Sequence, residues 1–134
     1  MKLFPQEIEK YNLSMDIVKA KLNYFELQIH ELHWQTRSVA EHEALGDLYT
    51  AVFNIKDEIV EKLMGYTGVR TKAMPVDSVK NYTPEYTRQV VKELADFAYQ
   101  LQVFGDEHHY CDIENLAQGL SGDAAKVLYR LTLS

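Results

Sequence analysis

Residues 6–35, QEIEKYNLSMDIVKAKLNYFELQIHELHWQ, decide the fold. Within them Ile8, Tyr11, Met15, Val18, Leu22, Phe25, Ile29 and Leu32 follow one another at alternating spacings of three and four. That spacing puts the whole set on one face of an α-helix and predicts an amphipathic helix over about residues 6–35. Thirty residues at about 1.5 Å each span roughly 45 Å, the length of a bundle member.

The rest of the chain repeats the pattern. Leu45, Leu48, Val52, Ile55, Ile59 and Leu63 predict a second helix over about 39–66, closed by Gly65 and Gly68. Residues 67–82 hold Gly68 and Pro75 without a sustained period and read as a crossover loop. Thr83, Pro84 and Glu85 supply a capping hydroxyl, a proline for the first helical position and an acid for the first turn. The third helix, with Val90, Leu94, Phe97, Leu101 and Phe104 inward, is expected to stop at Gly105. From Asp106 a fourth helix carries Tyr110, Ile113, Leu116, Leu120, Val127 and Leu131, and either kinks or restarts between Gly119 and Asp123. The expected fold is all-α: a four-helix bundle with a crossover between helices 2 and 3, spanning residues 1–134 as one domain.

Composition narrows the function. The 134 residues are 46% hydrophobic and 25% charged, enough for one ordinary core and no second domain. A net charge of −6 has the wrong sign for a broad phosphate-binding surface, and Arg70, Lys72 and Lys80 are too sparse to reverse that, so nucleic acid is not an expected partner. A lone cysteine, Cys111, rules out an internal disulfide and a four-thiolate zinc module. No run approaches the roughly 18 apolar residues of a membrane span, and MKLFPQEIEK breaks too early for a signal peptide, so a soluble, cytoplasmic protein is expected.

The histidines fall in two groups, His30, His33 and His42 early and His108 with His109 late. Glu26, His30 and His33 share one face of helix 1. Helix 2 begins near His42 and carries Asp57, Glu58 and Glu61 further along. Fifteen residues separate His42 from Asp57, about 22 Å along a helix, so helix 2 of one subunit cannot bring them together. Either His30 and His33 pack against Asp57 and Glu61 within one bundle, or two subunits meet antiparallel through helices 1 and 2. Imidazole and carboxylate ligands at helical spacing suit iron, manganese or zinc. The competing reading makes the same residues a charged, solvated face or interface salt bridges with no metal. Asp106-Glu107-His108-His109 after Gly105 reads as a helix start, with acids favouring the macrodipole and the histidines exposed.

His33-Trp34, then His42-Glu43-Ala44-Leu45, then Asp57 and Glu61 resemble the ferroxidase motif of the Dps-type mini-ferritins. That resemblance implies a ferritin-like bundle and a homo-oligomer that binds and oxidises Fe(II). It implies His33 and His42 as ligands from one subunit and Asp57 and Glu61 from its two-fold partner, with His30, Glu26, Asp47 and Glu58 as further candidates. The chain departs from the family in the shorter spacing from His33 to His42, and in Gly46 where the family has an acid, Asp47 lying one place later. The segment after helix 2 is also too short for the family's extra interface helix. Over nearly the whole chain, His33 to Thr36, Ala40 to His42 and Leu128 to Leu131 are similar to a group of short ferritin-like proteins of bacteria and tailed phages. That likeness implies no particular activity, and it keeps open a structural or interaction bundle, such as a phage accessory or virion protein.

Overall fold

A computed structural model describes residues 11–134. Four helices follow in order: α1 (Met15–Gln35), α2 (Val39–Thr67), α3 (Pro84–Glu107) and α4 (Cys111–Leu131), and no strand occurs among the described residues. The all-α four-helix bundle expected from the periodicity is the fold. No helix among the described residues is long and apolar enough to cross a membrane.

The first helix starts later than its stripe suggested. Ser14 is the N-cap, its hydroxyl accepting from the Ile17 amide at 3.3 Å, and Asp16 supplies the acid of the first turn. Asn12, at φ 52°, breaks any helical path before it. Tyr11, partly buried, nevertheless packs on the core, so the stripe's spacing from Tyr11 to Met15 continued without a helix, and the buried Leu13, off that stripe, joins the core as well. The part of the expected helix over residues 6–10 lies outside the described residues. At the other end Thr36 closes α1, Ser38 caps α2 through the Glu41 amide, and the intervening three residues reverse the chain.

Residues 68–83 then carry the chain back along α1. Asp16 accepts from the Thr71 hydroxyl at 2.7 Å and the Lys72 amide at 3.0 Å, and Lys19 donates to the Lys72 carbonyl. The fully buried Gln28 exchanges two hydrogen bonds with Lys80, at 2.9 and 2.6 Å, and Gln35 accepts from the Tyr82 amide at 2.7 Å. From residue 16 to residue 35 α1 rises about 28 Å, which the crossover covers between residues 71 and 82, so it runs nearly extended. Asp16 shows the anchoring electrostatically: the Thr71 hydroxyl first and the Lys72 amide next hold its carboxyl below the ordinary value.

This return makes α2 and α3 parallel and places every packed pair antiparallel: α1 with α2, α3 with α4, α2 with α4, and α1 with α3, which meet least. The core runs through all four, from Val18, Leu22 and Ile29 to Leu45, Ile59, Leu94, Leu101, Ile113 and Leu120.

Two expectations about the second half are corrected. Gly105 does not end α3; it is buried inside the last turn, where a Cβ would lie 2.9 Å from the Glu114 amide nitrogen. The glycine serves close approach of α4 rather than termination. Accordingly Asp106 and Glu107 belong to the end of α3, His108 is its C-cap and His109, at φ 59°, turns the chain. The acids of the first turn of α4 are Asp112 and Glu114 instead. Helix α4 runs unbroken through Gly119, Ser121, Gly122 and Asp123, because Leu116, Leu120, Ala124, Val127 and Leu131 keep one face in the core while both glycines lie exposed.

Candidate functional site

The short turn after α1 brings His33 against His42. Their rings stack at 3.8 Å between centroids and 16° between planes. His33 Nδ1 donates to the His42 carbonyl at 2.6 Å, and His42 Nδ1 donates to the His33 carbonyl at 2.8 Å. A carbonyl oxygen only accepts, so each Nδ1 carries the proton and each Nε2 of the neutral ring keeps its lone pair. Backbone-tethered Nδ1–H is the arrangement that orients a metal-ligating imidazole.

Gly46 is built into this stack. A Cβ there would lie 3.0 Å from His33 Cε1 and 3.2 Å from Nδ1. The residue at the position of the resembling family's acid is therefore small because the His33 ring occupies its space. Replacing it, Gly46→Ala should push His33 off His42 while leaving the fold intact, since the obstacle is a side chain that can turn and alanine favours the helix by about 1 kcal/mol. Loss of the mutual ring-current shifts of the two imidazoles, with the thermal midpoint nearly unchanged, is the expected NMR and melting result.

His30 sits one turn earlier, with its ring centroid 3.7 Å from Trp34 and 3.9 Å from Tyr49. Burial first, and the neighbouring His33 next, hold its pKa below the usual imidazole value, favouring the neutral ring. Trp34 itself is 63% exposed, and Leu27 and Phe53 are exposed on the same two helices.

The acids lie at the far end of α2. Asp57 and Glu61 are exposed on successive turns and face a surface depression with Asn54, Glu58 and Lys62. A hydrogen bond shared with Asp57, and then the Asp57 charge, push the Glu61 carboxyl above its ordinary value. Two carboxylates held this close favour a shared proton or a cation between them.

The structure therefore brings His33 and His42 together and Asp57 and Glu61 together, but not the two pairs, which α2 holds about 22 Å apart. The arrangement with both inside one bundle is not adopted: among the described residues no group of three or more His, Cys, Asp or Glu side chains can hold one metal ion. The other candidates have partners elsewhere. Glu26 is ion-paired with Lys56, Asp47 with Arg130 at 2.7 Å, and Glu58 with Lys62 at 3.7 Å.

One residue beside the histidines went unsuspected. The buried Glu41 accepts from Thr36 at 2.9 Å, Tyr82 at 2.6 Å and Ser134 at 3.1 Å. This carboxylate ties the α1–α2 turn, the crossover and the C-terminus into one rigid end on which the histidines stand. Its signal was an acid three residues after Ser38, where a helix start accommodates one.

The fold and this arrangement define an all-α four-helix bundle in which an imidazole pair, His33 of α1 and His42 of α2, stands at one end of α2 and a carboxylate pair at the other. The chain belongs to the family described as a family of unknown function, DUF5856, which matches residues 33–131 and so takes in both pairs. No curated protein and no solved structure matches the chain.

Proposed function

We propose that this protein is a ferritin-like, Dps-like bundle that binds Fe(II) between two copies of itself and oxidises it there. The observation that carries the reading is the pair of imidazoles whose Nδ1 atoms are tied to backbone carbonyls, leaving two Nε2 donors, one from α1 and one from α2, next to the face that His42 shares with Asp57 and Glu61 within about 100° of arc around α2. An antiparallel partner meeting this face near its middle, about residue 50, sets the histidines of each chain opposite the acids of the other. Two nitrogen and two carboxylate donors suit Fe(II), and Mn(II) or Zn(II) by the same chemistry. The carboxylates accommodate the higher charge of Fe(III), and each iron gives one electron to dissolved dioxygen or peroxide. A bundle with one long crossover is also the connectivity of ferritin-like folds. Leu27, Trp34 and Phe53 offer apolar area for the pairing.

The test is an anaerobic Fe(II) titration of the full chain purified without chelator, with size measured in parallel. A dimer or larger assembly that takes up Fe(II) and then consumes oxygen is expected, with Asp57→Ala plus Glu61→Ala abolishing uptake. Protein that remains metal-free after Fe(II) exposure overturns the reading. That result favours a non-catalytic structural or interaction bundle, cytoplasmic or virion-associated, in which imidazoles and acids pair across an interface; the close stacking of His33 on His42 suits that role as well.

A further inference from the structure

Helices α1 and α3 meet least of all the packed pairs, and between them opens a cleft of about 640 Å³ bridged by the crossover. That volume lies within the range of small-molecule sites. Its floor is aromatic: Phe25 and Phe97 are buried with ring centroids 5.8 Å apart, and the Tyr24 and Tyr86 hydroxyls lie 3.0 Å from each other. Its rim is acidic. Asp77 on the crossover and Glu93 with Asp96 on α3 face Lys21 and Lys80, and no ion pair engages these three carboxylates among the described residues.

We propose that this cleft binds a small organic cation, an ammonium group carried on an apolar or aromatic body. The protein already places one such group there: the Lys80 ammonium lies 5.5 Å from the centroid of the Tyr86 ring, a cation on an aromatic face. A ligand ammonium extends that arrangement toward Glu93 and Asp96, while its body covers Phe25 and Phe97. Burial first and the Tyr86 hydroxyl next push the Tyr24 phenol above its ordinary value, so that hydroxyl stays neutral and presents no charge to the ligand. Entry follows from how the roof is held. Hydrogen bonds fix the crossover at Thr71 and Lys72 and again from Lys80 to Tyr82, whereas residues 73–79 have none. The strap can lift between its two anchors without breaking a hydrogen bond.

The probe is phenethylammonium, added to the isotope-labelled full chain and followed by amide NMR shifts. Saturable shifts at Tyr24, Lys80, Tyr86 and Glu93 are expected, with a Kd of about 1 mM or tighter. Glu93→Gln combined with Asp96→Asn should weaken binding by about tenfold, the value of roughly one charge-assisted contact. Glu93 is half-buried and Asp96 exposed at the rim of the cleft, and an unchanged melting curve of the variant shows that the fold is kept. Absence of saturation, equal binding of the anion 3-phenylpropionate or the neutral 2-phenylethanol, or full affinity in the double variant each overturns the proposal. The cleft and the histidine stack share no residue, so this outcome is independent of Fe(II) uptake.

Discussion

Heterodimers built from one chain carrying His33→Ala and His42→Ala and another carrying Asp57→Ala and Glu61→Ala are expected to recover about half of the Fe(II) binding of the unaltered protein, although each variant alone binds none. In an isologous pair each site takes its histidines from one chain and its acids from the other. In the mixed dimer one site has lost both halves and the other has kept both. Two different affinity tags allow the mixed species to be isolated after co-expression, so the fraction of heterodimer does not enter. The background should be low, because neither half offers more than two ligands and the 22 Å between them forbids help from the same chain. Mixed dimers that bind no iron overturn the intersubunit site, and a histidine variant that binds as well as the unaltered protein removes the imidazoles from it. The assay needs no assumption about mineral storage.

Much of the fold, and the separation of His42 from Asp57 along α2, was legible in the residues, and the parts that were not share a physical cause. A three-residue turn forces His33 toward His42, and a rise of 1.5 Å per residue forces Asp57 away, so both separations follow from chain geometry. What periodicity cannot distinguish is why a residue is apolar or small. Tyr11 packs on the core, partly buried, from a non-helical segment, and its place on the stripe moved the expected start of α1 too early. Gln28 sits on the stripe between Phe25 and Leu32, fully buried, because the crossover laid over α1 needs an amide to pair with Lys80. That pairing joins residues 52 apart, and no local pattern carries it. Gly46 looked like a missing acid, whereas its cause is the ring of His33.

Gly105 is the sharpest of these cases, since a glycine near a helix end signals termination as readily as close packing, and here the crowded space beside the backbone, not a left-handed φ, requires it. At an exposed position inside a helix, alanine in place of glycine stabilises by about 1 kcal/mol. At Gly105 the new methyl would lie 2.9 Å from the Glu114 nitrogen, 3.2 Å from the Tyr110 carbonyl oxygen and 3.3 Å from the Glu114 Cα. All three are backbone atoms of the turn into α4 and its first turn, so relief requires moving that segment as a whole. The movement strains the 2.7 Å bond from the Tyr110 amide to the Gly105 carbonyl and the stack of Tyr110 on Tyr66 at 4.1 Å. Overpacking of this kind costs about 1–3 kcal/mol or more, outweighing the gain in helix propensity. Gly105→Ala should therefore lower the thermal midpoint by about 5–10 °C in a domain of this size. Gly119→Ala and Gly122→Ala, in the same α4 but with nothing beyond the adjoining helix backbone within 4 Å of the added methyl, should raise it by a few degrees. The loosened turn should also release the hydrogen bond from the Tyr66 hydroxyl to Asp112, which with burial pushes that phenol to about 12. The Tyr66 pKa falling toward the ordinary value of 10.0 in Gly105→Ala, but not in the two exposed variants, would locate the damage at the α3–α4 turn. Equal or higher stability of Gly105→Ala would instead show that the methyl is accommodated and that the approach of α4 does not require glycine there.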